Sequence, residues 1–328
     1  MKKYIAILLV AAMATLGISA CQKENSNKET KVQKDSDIKV VTTIFPEYDW
    51  VRQIVGKEAD QMDITMLLDN GVDLHSYQPT AEDIMKVSDC DLFVYVGGES
   101  DAWVGDALKQ AKNKDMQVVN LLDVLGNSVK EEEVIEGMEP EEESGEEEEP
   151  EYDEHVWLSV KNAEVLSEAI ADALEKADPD HKDVYQENAS AYSEKLENLD
   201  AKYQEVVDGA SQKTLLFGDR FPFRYLVDDY GLSYYAAFVG CSAESEASFE
   251  TISFLANKVD ELGLKDIMAI ENSNQKIAKT IIENTKEKNQ KILTLDSMQS
   301  TISDDVKNGT TYLSVMEKNL EVLKEALQ

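Results

Sequence analysis

Cations are scarce in this chain. Its 328 residues carry 32 Lys and Arg against 66 Asp and Glu, a formal net charge of -34. A phosphate backbone repels such a surface, which excludes a nucleic-acid binder and suits a cationic ligand. Cysteine is scarce too, with Cys21, Cys90 and Cys241 alone. The last two lie far apart, so no disulfide framework holds the fold. Cys90, in SDCDLFVYVG, reads as buried packing. Histidine is limited to His75, His155 and His181. No HExxH helix and no nucleophile elbow occur, which argues against an enzyme, a hydrolytic metalloenzyme included. No short-period repeat is present.

The apolar run Tyr4 to Ile18 follows Lys2 and Lys3. It falls short of the ~20 residues a bilayer span needs. Residues 1–20 therefore read as a signal peptide. Ile18-Ser19-Ala20-Cys21 looks like a bacterial lipobox, with Cys21 as the lipid-attachment residue. Two or more acyl chains would give stable, extracytoplasmic anchoring at the cell membrane. Residues 21–37 are polar and read as a tether.

The chain is 42% hydrophobic, and from Ile38 onward its apolar residues resolve into alternating strands and helices. Apolar runs at 39–44, 63–68, 91–97 and 116–122 are separated by helical stretches, and a second set runs through 213–217, 233–240, 266–271 and 291–295. This alternation predicts an α/β fold with parallel sheets in two lobes, 38–177 and 211–328. Between them, residues 178–210 predict one helix. Asp178 is the expected cap and Pro179 the first helical residue. Tyr185, Ala189, Tyr192, Leu196, Leu199, Tyr203 and Val206 form an unbroken stripe at steps of three and four. Such a rod is about 40 Å long and can run along both lobes. Residues 129–154 interrupt the pattern. Fifteen carboxylates fall in 131–154 with no histidine, so this reads as a solvated loop that gathers cations weakly or merely spaces. As a spacer, its deletion over 131–151 is expected to leave tight binding intact.

His75 follows a strand, at the end where open α/β sheets place ligands. Asp73 and Ser76 are the expected partners of its ring. His155 closes the acidic loop. His181 reads as solvent-facing. Two imidazoles on loops of one lobe can make half of a zinc site, which wants about four N, O or S ligands.

GVDLHSYQPTAEDIMKVSDCDLFVYVGGESDAWV and DEHVWLSVKNAEVLSEAIADAL carry a more specific signal, supported by TIFPEYDWVRQIVGKEA, DPDHKDVYQENASAYSEKLENLDAKY and KILTLD in the same order. Over about 38–328 the chain resembles the zinc/manganese-type metal-binding lipoproteins, the substrate-binding proteins of metal ABC importers. The resemblance implies two αβ lobes, a stiff interdomain helix and one metal in the cleft between them. It implies delivery of that metal to a permease with its ATPase, by a monomer. It assigns His75 and His155 as ligands of the first lobe and Asp296 as the carboxylate of the second.

One family position departs. The remaining ligand, His or Glu in the family, aligns with Arg220, and a guanidinium has no lone pair to give. Asp219 needs the smallest backbone shift to replace it, ahead of Cys241, Glu244 and Glu271. Arg220 is expected to pair with Glu244 or Asp296. Two imidazoles favour zinc as the bound ion, with manganese the alternative. Two other readings compete. A surface adhesin with the same fold would hold no metal. A receptor for a metal chelate or anionic ligand is suggested by Arg220 and Arg224.

Overall fold

The computed structural model describes residues 38–138, 151–242 and 246–328. The signal peptide, Cys21, the tether, residues 139–150 of the acidic run and Glu244 lie outside the described residues.

The first half of the chain runs β1 (Lys39–Thr42), α1 (Phe45–Val55), β2 (Asp63–Met66), α2 (Ala81–Asp89), β3 (Leu92–Tyr95), α3 (Val104–Lys109), β4 (Gln117–Asn120), α4 (Leu121–Leu125) and α5 (Val160–Ala177). The long helix α6 spans Lys182–Asp208. The second half runs β5 (Thr214–Phe221), α7 (Arg224–Tyr230), β6 (Ser233–Val239), α8 (Phe249–Leu262), β7 (Asp266–Ile270), α9 (Lys276–Asn284), β8 (Lys291–Leu295), α10 (Ser303–Lys307) and α11 (Tyr312–Ala326). Two four-stranded sheets result, ordered β2-β1-β3-β4 and β6-β5-β7-β8, with every pairing parallel. In each sheet the chain reverses its direction of travel across the sheet at the first strand. Open α/β sheets bind ligands beside such a reversal, at the carboxyl ends of the strands.

Short apolar strands form here because helices cover the sheets, leaving no polar face. Val40, Leu92, Phe93 and Val94 are fully buried, as are Phe217, Ile267 and Ala269 in the second sheet. Cys90 is buried at the entry to β3, its Sγ on the Val87 carbonyl. Helix α6 packs on α5, α1 and α11 through Tyr185, Tyr192, Leu196, Leu199, Tyr203 and Val207. Val207, not Val206, closes the buried stripe, as 3.6-residue periodicity drifts over a helix this long. Asp178 does not supply the expected side-chain cap, and α6 itself starts three residues after Pro179. The Asp178 carboxylate accepts from the Tyr185 hydroxyl (2.7 Å) and lies 2.6 Å from His181 Nδ1, with no bond to a backbone N–H of the helix. His181 is thus half-exposed but engaged, not simply solvated.

One apolar cluster runs through both sheets and α6. Polar ties cross it. Asp49 of α1, 2% exposed, accepts from the backbone N–H of Tyr312 at the start of α11 (2.9 Å). Burial raises the Asp49 carboxyl from 3.8 to about 6 against these bonds. A folded-state value raised this way lets the native protein hold a proton that the unfolded chain has lost. Stability is therefore fully present below about pH 4 and falls as pH rises to about 6. Asp49→Asn removes this slope. Relative to the parent, its stability measured by urea unfolding is expected to gain up to about 3 kcal/mol between pH 4 and pH 7; an identical pH profile would contradict it.

Candidate metal centre

His75 is presented by a single 3-10 turn, Leu74–Ser76. Asp73 precedes it, and its Oδ1 accepts from the His75 N–H at 3.0 Å. Leu74, 1% exposed, pins the turn to the core. The imidazole Nδ1 lies 2.9 Å from Ser100 Oγ and 3.5 Å from Glu154 Oε2. Its hydrogen-bond partner is therefore Ser100, with Glu154 Oε2 near but unbonded, whereas Asp73 and Ser76 are the expected partners. Asp73 serves the backbone of His75 and turns its other oxygen elsewhere. Ser100 is held in turn by Glu154 Oε1, which accepts from its N–H at 3.0 Å. A side chain at Gly98 could not stand here, since a Cβ would lie 2.2 Å from Glu154 Oε1.

His155 is fully buried. The two ends of the acidic segment meet in a short antiparallel ribbon: Glu132 N–H donates to the Glu151 carbonyl and Asp153 N–H to the Lys130 carbonyl, both at 2.9 Å. Asp153 then accepts from both the backbone N–H and Nδ1 of His155, each at 2.9 Å. That carboxylate selects the tautomer with its proton on Nδ1 and its lone pair on Nε2. The second half of the chain clamps the same ribbon. Tyr225 of α7 donates to the Asp153 carbonyl (2.7 Å) and accepts from the Lys130 N–H (3.1 Å).

The two rings face each other with Nε2 atoms 3.1 Å apart. Their charge preferences diverge. Burial first, and the neighbouring His155, push His75 well below the ordinary imidazole value. Burial also works against charge on His155, but Asp153, Glu132 and Glu154 outweigh it and lift that ring. Gln299 reaches the same point, its side-chain nitrogen 3.4 Å from His155 Nε2.

Cys241 completes the cluster. One donor atom each from His75, His155 and Cys241 lies within 4.8 Å of the other two, and among the described residues this is the group of three or more such side chains able to hold an ion. Gly240 makes the approach possible. A Cβ there would stand 2.9 Å from His155 Cε1 and 3.0 Å from the Phe221 carbonyl. The Cys241 N–H donates to Glu132 Oε1 at 3.0 Å. Burial, with Glu132, Asp153 and Glu154, pushes the thiol far above its ordinary value.

The remaining expected residues fall elsewhere. Asp219 accepts from the Arg220 N–H through Oδ1, while Oδ2 is buried without a hydrogen-bond partner. It lines a cavity of about 290 Å³ with Asp73, Arg220 and Glu271. Asp296 accepts from the Met298 N–H at 2.8 Å. Glu271 accepts from the N–H and hydroxyl of Ser297, both at 2.7 Å, and from the Gln299 N–H. None of the three carboxylates joins the cluster with the rings. Arg220 pairs with Asp73 at 2.6 Å, not with Asp296. Arg224 pairs with Glu133. The two arginines that suggested an anionic ligand are therefore both occupied by carboxylates of this chain. Residues 131–138 are no free spacer either: Glu131 to Glu133 join the ribbon, Cys241 and Arg224, and Met138 is buried. A deletion of 131–151 would remove these contacts, so the expectation that binding survives it loses its basis. Asp153, Ser100, Glu132 and Gln299 were not singled out by sequence. Only Asp153 carries a local signal, its Asp-x-His spacing.

Two parallel sheets, a long helix packed along both halves, and a donor cluster fed from both define a two-lobed α/β binding protein. The chain belongs to the family described as ZnuA, zinc-uptake complex component A periplasmic, whose profile matches residues 40–326. It is 34% identical over 322 residues to the zinc-binding lipoprotein AdcA of Streptococcus pneumoniae strain R6, covering 97% of this chain. It spans only 60% of that longer relative. It is 31% identical to the high-affinity zinc uptake system protein ZnuA of Bacillus subtilis, covering 99% of this chain and 98% of that one. Among solved structures it is similar to the Zn(II)-bound ZnuA-like domain of Streptococcus pneumoniae AdcA, with a TM-score of 0.69, 31% identity, and coverage of 89% and 99%. It is also similar to the laminin-binding protein of Streptococcus agalactiae, described as an adhesin with metal-transporting activity, with a TM-score of 0.70, 27% identity, and coverage of 89% and 100%. These relatives are named for binding, uptake and adhesion, not for catalysis.

Tyr225→Phe leaves the Lys130 N–H and the Asp153 carbonyl without their shared partner. It is expected to destabilise the protein by about 1–3 kcal/mol in urea unfolding; an unchanged midpoint would show that the ribbon does not depend on this hydroxyl.

Proposed function

We propose that this chain is the extracytoplasmic receptor of a metal importer, capturing Zn2+ and releasing it to an ABC permease driven by its ATPase. The observation that carries the reading is the 3.1 Å approach of the two Nε2 atoms. Zn–N bonds of about 2.0–2.1 Å at a tetrahedral angle put two ligand nitrogens about 3.3 Å apart. A shift of a few tenths of an ångström therefore accommodates the ion. Asp153 holds His155 with its lone pair aimed at that point, and Ser100 steadies the other ring from behind.

Imidazole donors favour zinc over the harder manganese ion. A net charge of -34 draws cations toward the protein, within a screening length of about 8 Å at physiological salt. Anchoring through acylated Cys21 would keep the receptor, acting as a monomer, beside its permease. The naming of the pneumococcal relative as a lipoprotein supports this. No helix among the described residues is long and apolar enough to cross a membrane.

Calorimetry of tag-free protein with competing chelators tests the reading. The parent is expected to bind one Zn2+ tightly. His75→Ala is expected to weaken binding by about 100-fold or more, since each ligand of a zinc site carries several kcal/mol. A variant binding as tightly as the parent would remove His75 from the site and sink the reading.

A further inference from the structure

We infer that Cys241 is the third protein ligand of the ion, as a thiolate, and that Arg220 acts as the clasp that holds the thiol-bearing turn against the histidines. The inference rests on the zinc-receptor reading and deepens it, because an N,N,S donor set names the class of ion selected.

The geometry brings the thiol to the rings from the opposite sheet. Cys241 follows β6 directly, and Gly240 gives its strand end van der Waals access to the face of His155. The three donor atoms lie within 4.8 Å of one another. A tetrahedral zinc with Zn–S of about 2.3 Å needs N and S about 3.6 Å apart, so the thiol has to close in on the two imidazoles when an ion binds. Glu132 fixes the backbone of this turn through the Cys241 N–H. Arg220 fixes it from the other side. One guanidinium nitrogen lies 2.6 Å from Asp73 Oδ2, and another donates to the Ser242 carbonyl at 3.4 Å. Asp73 is the residue that shapes the His75 turn, and Ser242 is the neighbour of Cys241. A single guanidinium thus ties the His75 turn to the Cys241 turn across the cleft.

Chemistry agrees with geometry. Arg220 cannot ligate, having no lone pair, whereas a thiolate is a softer donor, better matched to zinc, than the carboxylates near it. Glu132, Asp153 and Glu154 surround the donors with negative charge that a divalent ion offsets. As the Sγ–metal bond forms, the thiol proton leaves to the Glu132 carboxylate, which is hydrogen-bonded to that thiol, and the electron pair of the S–H bond becomes the bond to the metal. Thiolate ligation discriminates against manganese, which prefers oxygen donors.

Cobalt substitution tests this on the full chain. Co2+ bound to the parent is expected to show a thiolate-to-cobalt charge-transfer band in the near ultraviolet. Cys241→Ser keeps Cys21 and Cys90, so loss of the band in that variant assigns it to Cys241. Zinc affinity of Cys241→Ser is expected to fall by more than the ~10–100-fold cost of losing an outer partner, with manganese affinity changed far less. Cys241→Ala, checked for an unchanged unfolding midpoint, separates ligand loss from misfolding. If the parent binds zinc and His75→Ala does not, yet the band is missing and both Cys241 variants bind like the parent, the thiol is no ligand while the receptor reading stands. If the parent binds no zinc, both fall together.

Discussion

Two imidazole nitrogens held 3.1 Å apart are the constraint around which this molecule is organised. Lone pairs repel at that distance unless a proton or a cation stands between them. The arrangement therefore has to be enforced from behind. Asp153 enforces it for His155 and Ser100, itself held by Glu154, for His75, each through the nitrogen that faces away from the partner ring. Divergent proton affinities follow. Asp153 makes charge tolerable on one ring, while burial and the first ring's field expel it from the other. A divalent ion that binds both lone pairs at once would relieve the same repulsion that a shared proton relieves, which is why the pair supports the receptor reading proposed above.

Enforcement of this kind depends on the two halves of the chain being locked in register. At the back of the cleft the ties are buried. Asp49 receives the Tyr312 N–H, Tyr203 donates to the Met316 carbonyl, and Trp157, two residues past His155, donates to the Ser297 carbonyl while its own carbonyl accepts from Tyr312. Breaking any of these strands a polar group in an apolar core, which costs more than the bond itself contributes. At the front the ties are wetter. Arg220 and Asp73 are each about one-fifth exposed, and Ser303 meets Asp69 at the surface. Ion pairs nearer water contribute little net energy. The ties between the two halves thus grade from fully buried to partly exposed.

The parts of this design that were legible in sequence are those governed by local periodicity. Each of the eight strands among the described residues overlaps an expected apolar run, although β5 continues through Arg220 to Phe221 and α4 takes over the end of the run at 116–122, and the stripe on α6 is off by a single position, Val207 for Val206. The two clustered histidines, His75 and His155, were visible through their flanking segments. Cys241 was visible as an option only, because its distance to the rings depends on the pairing of β6 with β5 and on what Gly240 touches. Neither quantity leaves a periodic trace. The Arg220–Asp73 pair, 147 residues apart in sequence, is equally silent until both sheets are assembled. Asp296 shows the converse, a residue conspicuous in its motif whose carboxylate is engaged locally by the Met298 N–H.

The acidic segment is where composition misled most. Its carboxylates argue for a solvated loop, and by charge alone nothing in it should dock. Three placements reverse that conclusion for 131–138. Met138 is buried, Gly137 at φ +89° passes so close to Phe254 that a Cβ would lie 2.0 Å from its ring, and Glu132 reaches the Cys241 backbone. A few anchors suffice, because closing the ribbon between 130–132 and 151–153 already fixes both ends. Loop closure costs grow only slowly with length, so an insertion of many charges between anchored ends adds little penalty. Its charge then acts at short range: through the Cys241 N–H, Glu132 touches the candidate centre, so a stretch that composition alone marks as dispensable is tied to the turn whose position the sequence could least locate.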